Sequence, residues 1–231
     1  MQVSVYANET PVRAQLLDRL RTAIMEGMFQ PGDRLIEREL CEQLGVSRAS
    51  LREALRQIEA EGLIHYLPNK GAVVREITLE AVMELWELRT AVESVVAKRF
   101  ALYGTDQDIE RLEESILAMD VALKAKDRPA IKAAKRALWD SFAAGGHNDA
   151  CARVLSQINA RLSFLWSSSL LLPGRSAESI TEFLSLLGAL KSHNPEVAEA
   201  AILLHNEHAK YVALTGLAAL ESLKKSAGPT E

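Results

Sequence analysis

Residues 34–75 constrain the fold more than any other stretch of the chain. They read RLIERELCEQLGVSRASLREALRQIEAEGLIHYLPNKGAVVR. Leu44-Gly45-Val46-Ser47 interrupts a run of helix formers. Glycine takes the left-handed backbone that closes a helix, and serine caps the first amides of the next one. The spacing therefore predicts a short helix over 37–44, a tight turn, and a second helix over 48–61. Val46, before the cap, and Leu51, four residues into the helix, form a hydrophobic staple. Leu63–Leu67 and Ala72–Arg75 read as two strands joined by the turn Pro68-Asn69-Lys70-Gly71. Helix, turn, helix and hairpin in this order make a winged helix-turn-helix. A preceding helix opens at Thr10-Pro11 and repeats apolar residues at Val12, Leu16, Leu17, Leu20 and Ile24. The expected core of this unit is Leu16, Leu20, Ile24, Leu40, Leu44, Leu51, Leu55, Ile64 and Val73.

From Thr78 onward the pattern changes to long helical segments, expected at about 79–102, 106–126, 128–144, 148–171, 176–191 and 195–223. Gly104, Asp127-Arg128-Pro129, Gly145-Gly146, Pro173-Gly174 and Asn194-Pro195 separate them. The fold class is thus mainly α: a winged helix-turn-helix over 1–77, an antiparallel all-helical bundle over 78–223, and a polar tail over 224–231.

Charge alone does not mark a nucleic-acid binder. The net charge is −4; residues 1–77 hold 10 Lys/Arg against 11 Asp/Glu, and residues 78–231 hold 17 against 20. The placement of the cations carries the argument instead. A helix fits the major groove, and arginine reads guanine there through paired hydrogen bonds. Arg48 and Arg52 sit at the start of the second helix of the motif and are expected at base edges, with Ser47 and Ser50 at phosphates or bases. Arg38, with the first amides of its helix, is expected at a phosphate, and Lys70 and Gly71 at the wing tip near the minor groove or backbone. An arginine pair on a solvated helix face has an ordinary reading too; turn, cap, arginines and wing together favour the DNA reading.

Cys41 and Cys151 lie far apart and outside any C-x-x-C, so neither a disulfide framework nor a cysteine-rich zinc site is expected. No apolar run approaches a membrane span and no signal-peptide pattern opens the chain, which leads to the expectation of a cytoplasmic protein. No G-x-S-x-G, H-E-x-x-H or glycine-rich phosphate loop is present, so an enzyme is not expected.

Pro31-Gly32-Asp33-Arg34-Leu35, Leu44-Gly45-Val46-Ser47-Arg48, Leu51-Arg52-Glu53-Ala54-Leu55 and Glu61-Gly62-Leu63 together resemble the GntR family of bacterial regulators. Leu85-Trp86-Glu87-Leu88-Arg89, followed by Glu93, resembles the FadR-type (FCD) helical effector domain. The resemblance spans about residues 10–223. It implies a homodimeric transcription factor, commonly a repressor, that binds an inverted-repeat DNA operator and releases it when a small molecule, often a carboxylate, enters the helical domain. The alternative is a DNA-binding dimer whose helical domain is a scaffold without an effector.

The resemblance also implies a metal held by one Asp and three His. The last slot falls on His205, and 22 residues before it stands Phe183; aligned on Gly146-His147-Asn148, the Asp and first His slots fall on Lys135 and Trp139, or four residues later on Trp139 and Ala143, so only His205 is a ligand type. A substitute set of His205, His208 and Asp140 is a weaker alternative, and no cofactor is expected. The reading preferred from the residues is a metal-free pocket: Arg89, on the apolar stripe of Val82, Leu85, Val92 and Val96, meets a ligand anion, Lys135 adds positive charge, and Trp139, Phe183 and His205 line the walls. The ordinary partner for Arg89 is Glu93, one turn further on.

Overall fold

The computed structural model describes the backbone of residues 10–25, 27–76, 78–169 and 175–226, with side chains left out at 10–13, 163–169, 175–176 and 219–226. The arm expected over 1–9 and the Pro173-Gly174 break lie outside the described residues. Of the tail expected over 224–231, residues 224–226 instead continue the last helix, which ends at Ser226, and the rest lies outside the described residues. The chain divides into two compact units, Met1–Thr78 and Leu79–Glu231.

The first unit contains α1 (Thr10–Met25), β1 (Arg34–Leu35), α2 (Glu37–Leu44), α3 (Arg48–Ala60), β2 (Ile64–Leu67) and β3 (Gly71–Val74). The three strands form one antiparallel sheet in the order β1-β3-β2. β1 is an addition to the sequence reading, which assigned no element to the residues just before the helix at 37. Two residues show no alternation to read; Arg34 and Leu35 become a strand only because Val73 and Ala72 lie opposite them. Leu16, Leu20, Ile24, Leu40, Leu51, Leu55, Ile58 and Ile64 form the buried core. Leu44, expected inward with them, is only half-buried because the helix closes at the next residue. Gly45 takes φ 66° there and its amide returns to the Cys41 carbonyl, a backbone that side-chain-bearing residues rarely adopt. Arg21 forks onto the Glu61 carboxylate at 2.8 and 2.6 Å, tying α1 to the far end of α3.

The second unit is all helical: α4 (Leu79–Tyr103), α5 (Asp106–Ala125), α6 (Arg128–Gly145), α7 (Asp149–Ser169), α8 (Arg175–Lys191) and α9 (Pro195–Ser226). The starts are set by local chemistry. Thr105 and Asp108 form a reciprocal capping box, Asp127 caps α6 with proline in the first turn, and Asn148 and Asn194 accept the first amides of α7 and α9. α4 packs against α9, α7, α6 and α8, and so forms the spine of the bundle. Phe100, Leu112, Ile116, Leu138, Phe142, Leu155, Leu190 and Ile202 fill its core. Gly145 is required by close approach: a Cβ there would collide with the Phe100 ring. No helix among the described residues is long and apolar enough to cross a membrane.

Candidate functional site

Each unit carries one cluster of polar residues that folding alone does not explain. In the first, Ser47 has an extended backbone and its hydroxyl accepts from the Ser50 amide at 3.1 Å, fixing the start of α3. The two hydroxyls lie 2.9 Å apart, so Ser47 and Ser50 are engaged with each other at an exposed helix end. Arg48 is exposed beside them with no side-chain partner among the described residues. Arg52, one turn on, is also exposed, but its Nε donates to Glu37 Oε2 at 2.8 Å, crossing from α3 to α2. That bond raises the Arg52 pKa, and leaves the rest of the guanidinium facing solvent. Arg38 is exposed near the start of α2. The first amides of α2 have no side-chain cap, as Ile36 occupies the N-cap, but Glu37 and Glu39 stand in the first turn. Two carboxylates there oppose a phosphate, and the Arg52 pair offsets one of them. Lys70 is exposed in the turn between β2 and β3, and its amide returns to the Leu67 carbonyl at 3.2 Å. Asn69 and Gly71 flank it with φ 63° and 76°, so a left-handed backbone on each side projects the wing.

The second cluster is buried. Arg89 is 1% exposed and Glu93 0%. Arg89 Nε donates to Glu93 Oε1 at 2.6 Å. The guanidinium carbon lies 4.4 Å from the Trp139 ring centre and 5.2 Å from that of Trp86, a cation held between two aromatic faces. Trp139 meets Phe183 at 5.6 Å and His205 at 5.7 Å, and Phe183 meets His205 at 4.4 Å. The structure thus brings together Arg89, Trp139, Phe183 and His205 from α4, α6, α8 and α9. Lys135 is half-buried one turn before Trp139. Arg89 has the ordinary partner weighed for it, Glu93.

The polar groups around this ion pair are incompletely satisfied. Glu93 Oε2, Trp86 Nε1, Trp139 Nε1 and both side-chain polar atoms of Asn206 are buried without a hydrogen-bond partner. Such groups are rare in folded proteins and each calls for an explanation. Burial pushes the Glu93 carboxyl above the usual range; Arg89 draws it back, and so does the amide of Asn206, which faces it without completing a bond.

The donor set does not fit a metal ion. Trp139 and Phe183 offer no ligand atom, and His205 Nδ1 is committed to Glu182 Oε2 at 2.7 Å. His208 Nδ1 takes the other oxygen of the same carboxylate at 2.7 Å. Asp140 is a surface residue, 68% exposed and 3.8 Å from Arg136, so the substitute set of His205, His208 and Asp140 does not assemble. Among the described residues, no group of three or more His, Cys, Asp or Glu side chains is arranged to hold a metal.

Sequence reasoning missed Glu182, Trp86 and Asn206. Trp86 entered only as a letter of the motif Leu85-Trp86-Glu87-Leu88-Arg89, and its i, i+3 spacing to Arg89 was the available signal. Asn206 lies on the buried face of α9, where an amide is uncommon. Glu182 had no local signal, since its partners are 23 and 26 residues further on.

Comparison with known proteins covers both units. Residues 84–208, more than half the chain, match the FCD domain, and residues 12–74 match the bacterial regulatory proteins of the gntR family. The chain is 24% identical over 201 residues to the uncharacterized HTH-type transcriptional regulator YdhC of Bacillus subtilis, spanning 86% of this chain and 89% of that protein. It is 32% identical over 127 residues to the HTH-type transcriptional repressor RspR of Escherichia coli, spanning 54% and 56%. Among solved structures, McbR/YncC of E. coli has the same fold, with a TM-score of 0.79 at 22% identity over 88% of this chain and 97% of that one.

Proposed function

The chain belongs to the gntR family of bacterial regulatory proteins, among members whose helical unit is an FCD domain, and from that membership we propose how it is controlled. As a member it is a DNA-binding transcriptional regulator rather than an enzyme. We propose that it acts in the cytoplasm as a homodimeric repressor on an inverted-repeat operator, and that a small anionic metabolite bound in the FCD domain releases it. The repressor role takes support from RspR, a repressor by name, which is 32% identical to this chain over 127 residues. The dimer takes support from geometry: one small reading head makes few contacts, and a two-fold pair doubles them on a symmetric site.

The observation that carries the DNA reading is the serine-capped start of α3, where Arg48 stands exposed and unpaired among the described residues. Arg48 and Arg52 are assigned to base edges, Ser47 and Ser50 to phosphates or bases, Arg38 to a phosphate, and Lys70 and Gly71 to the wing contact. Selection of bound genomic fragments followed by gel shift tests it. A palindromic site, a steep loss of affinity with salt and a two-to-one stoichiometry are expected; binding as a monomer to unrelated sequences would sink it.

The input is assigned to Arg89, Lys135, Trp139, Phe183 and His205. The second reading, a scaffold without an effector, is favoured by one fact: Arg89 already has a carboxylate, that of Glu93. Thermal shift against small carboxylates, sugar acids and acyl thioesters separates the two. A shift accompanied by release of DNA supports the regulated form, and no shift with any compound supports the scaffold.

A further inference from the structure

The buried pair in the helical unit is an unusual thing for a fold to build. A buried arginine–glutamate pair is seldom worth its desolvation unless the remaining hydrogen-bond sites are filled. Here they are not. Around the 2.6 Å contact stand three unpaired donors, Trp86 Nε1, Trp139 Nε1 and Asn206 Nδ2, and two unpaired acceptors, Glu93 Oε2 and Asn206 Oδ1. Three N–H donors and a guanidinium thus stand around a single carboxylate. That set suits more carboxylate oxygen than Glu93 alone presents.

We propose that Glu93 is a resident stand-in for the effector's carboxylate: a small carboxylate ligand takes over Arg89, and Glu93 releases it and takes up one proton from solvent. This rests on the effector reading above. The bond from Arg89 Nε–H to Glu93 breaks, one from Arg89 to the ligand oxygen forms, and the proton ends on the Glu93 carboxyl. The charge balance of the buried pair itself calls for the proton, Lys135 being only half-buried. In that pair one cation and one anion neutralise each other. Adding a ligand carboxylate without protonating Glu93 would leave a net negative charge in a place where Glu93 is 0% exposed. The proton also lets Oε2 donate to Asn206 Oδ1 once that amide turns over, since in the free site the amide N–H is the group that faces the carboxylate.

The surroundings permit this exchange. On its own helix Glu93 meets Arg89, and from α9 it meets the neutral Asn206. His205 of α9 stands against the Trp139 ring and is bound to Glu182 of α8. α6 contributes Lys135, half-buried one turn before Trp139, and α7 buries the uncharged Asn159. Burial already favours the protonated form of Glu93, so the step leads toward the state the site prefers once Arg89 is taken.

Titration calorimetry on the full chain with acetate, benzoate and phenylacetate tests this, run in buffers of different ionisation enthalpy between pH 6 and 8, with the matching amides as uncharged controls. At least one carboxylate should bind with uptake of about one proton per site, and its affinity should fall by up to about tenfold per pH unit. Glu93→Gln should bind that carboxylate more tightly, without proton uptake. If the variant is too unstable for calorimetry, the same carboxylate should raise its melting temperature by more than it raises that of the unaltered protein, because the ligand then supplies the missing charge. Binding with no proton uptake and no pH dependence overturns the role of Glu93 and leaves the effector reading intact. No binding of any of the carboxylates to either protein overturns both.

Discussion

The two units handle charge in opposite ways. In the first, cations stand at an exposed helix end: Arg48 has no partner among the described residues, and Arg52 is bound by one nitrogen to Glu37 with most of its surface in solvent. In the second, Arg89 is sealed between two indoles with Glu93 beside it. An exposed cation costs the fold nothing and remains available to a charged polymer. A buried one costs desolvation and is tolerated only with a partner. One unit is thus arranged to meet something large from outside, the other to respond to something small that reaches its interior.

The contrast can be broken by experiment, most severely in the buried cluster. Arg89→Met leaves Glu93 without its cation and should cost about 3–5 kcal/mol of stability by denaturant titration. Adding Glu93→Leu should recover most of that loss, as a hydrophobic replacement of both partners is nearly neutral. A double variant as unstable as the single would mean that the pair supports the fold through more than its own charge balance. Arg48→Ala should leave stability unchanged and cost about 1–3 kcal/mol of operator affinity, relaxing sequence preference. Equal affinity of variant and parent would remove α3 as the reading helix.

A third change sharpens the comparison within the helical unit. Asp108 accepts from the Thr105 hydroxyl, the Thr105 amide and His147, and its carboxyl is lowered to about 2, chiefly by the Thr105 hydroxyl. A carboxyl held below its unfolded value of about 3.9 stabilises the fold above that pH. The contribution is lost as pH falls from there toward about 2. Asp108→Asn should cost about 1 kcal/mol at neutral pH and flatten the acid limb of the stability profile in that window. A profile identical to the parent would rule the capping box out as its source. The smallest effect is expected for Arg52→Ala, with an unchanged melting temperature but weaker binding to DNA; a large drop in melting temperature would make the Glu37 pair structural after all.

What could be read from the sequence follows the same division. Gly45, Ser47, Thr105, Asp127 and Asn194 act on backbone within a few residues of themselves, so the helix ends they set were visible in the order of the residues. The reading face was legible because it lies within one short run. Arg89 was visible as a cation on an apolar stripe, with Glu93 as its ordinary partner, but its indole faces come from α4 and α6, and the amide beside Glu93 comes from α9. Glu182 was invisible because nothing near it in the chain states that two histidines of the next helix will share its oxygens. β1 was missed for a similar reason, as a two-residue strand is defined by its neighbour rather than by itself.

The indole faces around Arg89 have an optical consequence. Two of the chain's three tryptophans, Trp86 and Trp139, are 1% and 4% exposed and share one guanidinium. Their emission should be blue-shifted by burial and sensitive to the field of that cation. Any event that moves Arg89 by an ångström alters both rings at once. The helical unit therefore carries its own fluorescent reporter, placed at the group whose movement matters most and readable without a label.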